Sequence, residues 1–439
     1  MSSINAIKIL PFVVTAVALL SSMADANAVP SFKRQTGLEC TSCHVSWLEL
    51  SPVGRKFKLN GYTLGERKLF PIAAMIQASR TTTSKDQPAD SVPHDGDIVL
   101  QQASVFLAGK WTDNIGSFIQ WTFNGVEHHS GIDNADIRYS NSFGEADNKV
   151  IYGVTLHNNP TVQDVYNTTP AFGFPYAASP TALSPNAATL IDGGLGQQVV
   201  GLGAYALWRN TVYTELSAYR TANQLFDVFR AGQDRSTAAQ IKGYNPYWRL
   251  ALQHEWDSGK HSAMVGTYGF IVNKYPDSQN QSGPTDHFTD TALDAQYQYI
   301  GDRHRASAQL NFINEKQNWN ASFPAGGTEN ASNTLKSFRA KGTYYFDNKY
   351  GVNLAYFATK GSNDQVLYNS GEAVSGSAAG GPNSSGYIAE LNYLPRRDIR
   401  LVAQYTAYNK FNGASNNYDG QGRNAKDNNS LYLLAWFMF

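Results

Sequence analysis

The sequence predicts an all-β fold, a 16-stranded antiparallel outer-membrane β-barrel, and three observations predict it. From Phe70 onward the chain falls into segments of roughly ten to fifteen residues in which apolar and polar side chains alternate, the pattern of strands with one face to lipid and one to a lumen. The connections between these segments alternate between short turns and long loops. The chain closes on an alternating apolar strand, Leu431, Leu433, Ala435 and Phe437, with an aromatic residue, Phe439, at its end.

The first residues have the order of a secretory signal peptide, residues 1–28: Lys8, an apolar run from Ile9 to Leu20, and the small-residue site Ala26-Asn27-Ala28. Beyond it no apolar run reaches the roughly 18 residues that a membrane-crossing helix needs, so any crossing falls to strands. Only 16% of residues are charged, 13% are aromatic and the formal net charge is +0, which points away from nucleic acid as a partner.

Cys40-Thr41-Ser42-Cys43-His44 uses both cysteines of the chain in a C-x-x-C-H run, the pattern of c-type haem attachment. Two thiols add to the vinyl groups of one porphyrin, and the adjacent imidazole coordinates the iron. A thioredoxin-like pair would call for a βαβ context, and none is evident. Residues 29–68 therefore read as a monohaem cytochrome c domain carrying one covalent haem c, and residues 69–439 as the barrel. So short a domain rarely supports a core alone, so it is expected to plug the lumen. Phe32, Leu38, Trp47, Leu48, Phe57 and Leu59 are available to pack on the porphyrin. Lys33, Arg34, Arg55, Lys56 and Lys58 are candidates to neutralise its propionates, or form a plain solvated surface; Arg34 and Arg55 are the two singled out. Met75, on the first strand, is the candidate second axial ligand, with Met438, a histidine or an open position as alternatives.

The predicted strands run Phe70 to Arg80, Ile98 to Trp111, Ile115 to Val126, Ile132 to Phe143, Lys149 to Asn158, Gln197 to Trp208, Thr211 to Ala222, and Pro246 to Trp256. They continue with Lys260 to Asn273, Phe288 to Ile300, His304 to Asn314, Leu335 to Phe346, Gly351 to Thr359, Gly386 to Leu394, Ile399 to Asn409, and Ser430 to Phe439. Trp248, Leu250, Leu252 and Trp256 share one face and Arg249, Gln253 and Glu255 the other. Short turns fall at Arg209-Asn210, Asp257-Ser258-Gly259 and Asp347 to Lys349, and long Gly-, Ser-, Asn- and Pro-rich loops at, among others, Pro160 to Gly196 and Lys360 to Ser385. Barrels of this class keep short turns in the periplasm and long loops outside, which places both termini and the haem on the periplasmic side.

The run Val29 to His44, Val-Pro-Ser-Phe-Lys-Arg-Gln-Thr-Gly-Leu-Glu-Cys-Thr-Ser-Cys-His, followed by Leu50-Ser-Pro-Val-Gly-Arg-Lys-Phe-Lys-Leu-Asn-Gly-Tyr62, resembles the fused monohaem cytochrome–porin family of iron-oxidising bacteria. The close likeness is confined to this stretch. It implies oxidation of extracellular Fe(II), with the electron passed through the haem to a periplasmic c-type cytochrome, an iron(II):cytochrome c oxidoreductase-like activity. It carries over Cys40, Cys43 and His44 and adds weight to Met75, because the family tends to have a Met in the strand that follows. Trp47 and Leu48 stand where relatives carry Phe and Pro, which alters the packing beside the haem.

An apolar band roughly 25 Å tall would separate a haem at the periplasmic edge from the outside, so the haem is expected inside the lumen and nearer the long loops than topology requires. His94 with Asp95 and Asp97, and Glu127-His128-His129, are the loop clusters whose ligand types suit Fe(II), or scattered loop charge. Arg249, Arg305, Arg339 and Arg400 hold propionates or line a wet interior. Two other classes stay open: a porin or substrate channel with a structural or sensing haem plug, and a haem enzyme acting on peroxide or a sulfur compound.

Overall fold

The computed structural model describes residues 30–68, 70–87, 93–145 and 148–439; the predicted signal peptide and Leu69, where the barrel was expected to begin, lie outside them. The strands are β1 Ile72–Thr83, β2 Ile98–Lys110, β3 Ile115–Asn124, β4 His129–Phe143, β5 Val150–His157, β6 Val199–Trp208, β7 Val212–Thr221 and β8 Asn245–Trp256. They continue as β9 His261–Lys274, β10 Asp286–Ile300, β11 His304–Asn318, β12 Ser332–Phe346, β13 Tyr350–Gly361, β14 Ser384–Arg396, β15 Ile399–Lys410 and β16 Ser430–Met438. Each pairs antiparallel with the next, and β16 returns to β1 in the register Met75↔Met438 to Thr83↔Ser430, so the sheet is a closed barrel. Closure removes the unpaired edges that an open sheet would present. Among the described residues no helix is long and apolar enough to cross a membrane.

The alternation sorts as predicted along most of the wall. On β8 Leu250 and Leu252 are exposed while Arg249 and Gln253 are buried; on β12 Phe338 and Tyr344 are exposed while Lys341 is buried. Arg209-Asn210, Asp257-Ser258 and Asp347-Asn348 all adopt positive φ, the backbone of tight hairpins whose twist matches that of the strands. The strands on the long-loop side run further than expected: β11 reaches Asn318 and β12 starts at Ser332.

The N-terminal segment holds three short helices, α1 Pro30–Thr36, α2 Cys40–Cys43 and α3 Pro52–Leu59. Ser51 caps α3 by accepting from the Gly54 amide at 3.2 Å, and Pro52 occupies the first turn, where its missing N–H costs nothing. This segment meets inward side chains around the whole circumference. Arg55 donates to Gln298 of β10 at 2.7 Å and Ser262 of β9 at 2.6 Å; the Tyr62 hydroxyl donates to Asp136 of β4 at 2.6 Å; Tyr205 of β6 donates to the Leu59 carbonyl at 2.7 Å. On the opposite wall Trp47 packs edge-on against Trp436 of β16, ring centroids 5.4 Å apart. Arg55, Leu59, Tyr62 and Trp47 thus pack against inward-facing residues of the barrel wall.

The connection between β5 and β6 departs from the expected outer loop. Gln163, Asp164, Val165 and Tyr166 are fully buried. Gln163 donates to Glu215 at 2.8 Å, Tyr166 to Gln253 at 3.0 Å, and Asp164 pairs with Arg249 at 3.4 Å. The loop folds into the lumen because its polar groups find partners on the inward faces of β7 and β8, and with the N-terminal segment it fills much of the interior.

Candidate functional site

The single turn of α2 brings Cys40 and Cys43 to the same stretch of backbone and hands the chain to His44, whose amide still bonds to the Cys40 carbonyl at 2.9 Å. Helix α3 closes over this turn: the Ser51 hydroxyl donates to the Ser42 carbonyl at 2.6 Å, and the Ser51 amide to the Cys43 carbonyl at 2.8 Å. A Cβ at Gly54 would lie 2.1 Å from the Cys43 carbonyl oxygen, so only glycine allows the approach.

No disulfide joins the two cysteines. Burial, with the neighbouring Cys40 adding to it, pushes the Cys43 thiol up to about 11. His44 is pushed down to about 4, first by burial and then by the Arg305 charge, against a partial upward pull from the Glu49 backbone. Its Nδ1 is buried and makes no well-formed hydrogen bond. The imidazole is therefore neutral at physiological pH, the form that binds a metal.

Two cavities, ≈ 350 Å³ and ≈ 120 Å³, meet at this turn and share Cys40, His44, Leu48, Phe118 and Phe172 in their walls. The larger is bounded on its far side by Met75, Phe106, Trp436 and Met438, and the smaller by Phe32, Leu38, Leu50 and Phe57. Together they form a largely apolar slot, one of several apolar regions of the barrel interior and the one that contains the Cys-His turn. Its origin is local: on β1, β2 and β16 the inward residues Ala73, Met75, Phe106, Ala108, Tyr432, Leu434, Trp436 and Met438 are largely apolar and form one buried cluster with Trp47. A lumen wall that faces water has no use for such side chains, so this face is shaped for an apolar occupant.

The residues fit a covalently attached haem. Cys40 and Cys43 offer two attachment points, His44 a neutral imidazole, and Met75 and Met438 are cross-strand neighbours whose buried side chains line the same cavity as His44. Gln77 donates to the Met75 sulfur at 3.4 Å, which fixes that thioether's position. The slot begins at the short-turn rim, beside Asn348 and Arg397, and reaches Gln102 and Asp133 further along the wall. It is lumenal as expected, but it starts from the short-turn end rather than lying toward the long loops.

Arg34 and Arg55 are not at the slot. Arg34 is exposed and donates to the Ile72 carbonyl, and Arg55 is spent on Ser262, Gln298 and the Leu50 carbonyl. Three lumen arginines are likewise occupied: Arg249 with Asp164 and Asp294, Arg339 with Asp192, and Arg400 with Glu390. Arg305 comes near, donating to the carbonyls of Thr41 and, at 2.9 Å, His44. Arg397, which the sequence did not single out, lines the slot and pairs with Glu39.

The loop clusters do not form an ion site. Asp97 accepts from the His94 amide at 2.9 Å, Asp95 from Thr83, and His129 faces Glu127 at 3.2 Å. Among the described residues no three His, Cys, Asp or Glu side chains converge to hold a metal ion.

Sequence reasoning also missed Glu49. It is fully buried and receives hydrogen bonds from Ser307 at 2.8 Å and Gln298 at 3.0 Å, with Lys341 at 3.8 Å. It missed the inward loop as well, whose Phe172, Tyr176 and Ala177 complete the slot. The run Leu431 to Phe439, apolar at nearly every position, carried the one available signal that β16 is apolar on both faces.

No protein-family model and no curated protein sequence matches the chain. Among solved structures the chain is similar to the outer membrane channel DcaP of Acinetobacter baumannii, at 13% identity over 84% of this chain and 96% of that one, with a TM-score of 0.48. A loop L8 deletion mutant of OmpT, an outer membrane protein of Vibrio cholerae, is 13% identical over 84% and 98%, with a TM-score of 0.43. OmpF of Salmonella typhi, in complex with daunomycin, is 12% identical over 84% and 97%, with a TM-score of 0.44. The likeness is one of barrel architecture.

Proposed function

We propose that this chain is an outer-membrane electron-transfer protein: it takes electrons from extracellular Fe(II) and delivers them, through one covalently attached haem c, to a periplasmic c-type cytochrome. The observation that carries the reading is the apolar slot within the lumen, walled by Cys40, His44 and Met75. The closed barrel with apolar residues outward, which satisfies its backbone groups internally, supports the membrane location. Short turns on one rim and long loops on the other support an orientation with the slot's mouth in the periplasm.

A haem bound in the slot supplies a one-electron couple. The chain's own residues set its conditions. His44 would hold the iron through a neutral nitrogen and Met75 would offer it a thioether, a pair that raises a haem potential relative to two imidazoles. Phe106, Phe118 and Trp436 keep water away, and Arg305 and Arg397 place positive charge near the Cys-His turn and the short-turn mouth. Donor identity rests on the resemblance between residues 29 and 64 and the iron-oxidising family. The reaction is written Fe(II) to Fe(III) with one electron leaving, and one ferric periplasmic cytochrome reduced.

A porin or substrate channel is the second reading, because sixteen strands enclose enough space for an aqueous pore. Against it stand the N-terminal segment and the β5–β6 loop, both packed into that space. Mixing the detergent-solubilised protein with Fe(II) in a stopped-flow instrument tests the two readings. Rapid appearance of the reduced haem spectrum supports electron transfer; an unreduced haem together with solute flux through liposomes supports the channel.

A further inference from the structure

At the long-loop end of the lumen, away from the slot, Asp290 of β10 and Glu315 of β11 stand directly opposite each other in the strand register. Both are essentially inaccessible, at 1% and 0% exposure. Like charges at directly opposed positions repel, and a buried carboxylate without a counter-charge is costly. Among the described residues no lysine, arginine or histidine forms an ion pair with either. Lys274 lines the same cavity and its charge acts on Glu315 from beyond ion-pair distance, which leaves Asp290 without a cation of its own.

The remaining contacts leave a gap of defined chemistry. The Leu190 amide donates to one Glu315 oxygen at 2.5 Å, the Ile191 amide to one Asp290 oxygen at 3.3 Å, and Gln317 Nε2 to the other Glu315 oxygen at 2.6 Å. Asp290 Oδ1 and Gln317 Oε1 are buried and have no partner. Glu315 and Gln317 also line a cavity of ≈ 400 Å³ at this mouth. Two carboxylates and an amide, on neighbouring inward positions of β10 and β11, thus lie beside a space large enough for water.

We propose that Asp290, Glu315 and Gln317 bind one divalent cation, with water from the cavity completing its coordination. An oxygen-only donor set of this kind suits hard or borderline ions such as Mg(II), Ca(II), Mn(II) and Fe(II). The cation cancels the cross-strand repulsion and takes up both orphaned oxygens. A proton shared between the carboxylates is the competing resolution, and it would leave Gln317 Oε1 unused. The proposal does not depend on the haem.

The test is Mn(II) binding to the full-length protein in detergent, read from the loss of the free-ion EPR signal. One tightly held Mn(II) is expected, with at least about tenfold weaker binding in Asp290→Asn/Glu315→Gln, and weaker binding in Gln317→Leu. A Cys40→Ser/Cys43→Ser variant retains the site, which separates this result from the fate of the electron-transfer reading. Heat-modifiable electrophoretic mobility confirms that each variant is folded, and single Glu315→Gln replaces the double variant if that one does not assemble. Absence of bound Mn(II) in the wild type, or equal binding by wild type and variant, overturns the proposal.

Discussion

Replacing Glu49 with alanine should unseat the cysteine-bearing segment. This carboxylate is the point at which that segment is tied to β10, β11 and β12 together, through Gln298, Ser307 and Lys341. Lys341 is 3% exposed and among the described residues forms an ion pair with Glu49 alone, so truncation leaves its charge buried beside the Tyr176 ring with only the more distant Glu390 to offset it. Breaking one half of a buried pair costs about 3–5 kcal/mol; at about 1.4 kcal/mol per factor of ten, the ratio of seated to unseated segment falls on the order of 10²–10³. Arg55, Lys58 and Tyr62 still anchor the far end, so the segment loosens at residues 38–50 rather than leaving the barrel. Planar-bilayer recording reads this out: the wild type stays near baseline, and Glu49→Ala shows recurrent openings together with faster chymotryptic cleavage after Trp47 or Leu48, inside the loosened stretch. Glu49→Gln, which can keep the Ser307 and Gln298 bonds, falls between them. If Glu49→Ala conducts and resists chymotrypsin like the wild type, the assignment of Glu49 as the segment's main tie is wrong.

Met75→Leu should abolish a thioether-to-iron charge-transfer band in the ferric protein while Met438→Leu preserves it; an unchanged spectrum in Met75→Leu would remove Met75 from the iron. Gly54→Ala should drive α3 off the Cys43 carbonyl at a cost of about 1–3 kcal/mol, measured as a lower urea midpoint for loss of the haem spectrum, and an unshifted midpoint would mean that α3 does not brace the turn. Lys58, whose ammonium bonds to the carbonyls of Val162 and Asp164, is pushed down to about 8 by burial from an ordinary 10.5. Between those values the unfolded chain holds the extra proton, so stability should rise with pH from about 8 toward 10.5 and stay flat below. Urea titrations followed by Trp47 fluorescence should show that rise and lose it in Lys58→Met; a flat wild-type profile would count against it.

The barrel was legible in the sequence because period-two alternation and turn chemistry are local signals. Leu250 against Arg249, and Asp347-Asn348 at a hairpin, needed no knowledge of distant residues. The Cys-His turn was legible for the same reason, as a contiguous motif. What stayed hidden depends on contacts across the lumen. Arg55 reads as a solvated base until Gln298, more than two hundred residues later, is brought beside it. The β5–β6 connection has the composition of an outer loop, yet Asp164 is drawn inward by Arg249. The apolar lumen face of β1 and β16 runs against the rule that lumens are polar, and local inconsistencies of this kind are where function tends to lie.

Denatured, intact mature chain subjected to mass measurement and alkaline pyridine spectroscopy tests the central claim most directly. One haem per chain should stay attached after unfolding, and Cys40→Ser/Cys43→Ser should yield a barrel without it. A correctly folded wild-type barrel, expressed with c-type haem attachment machinery and carrying no covalent porphyrin, would contradict the account.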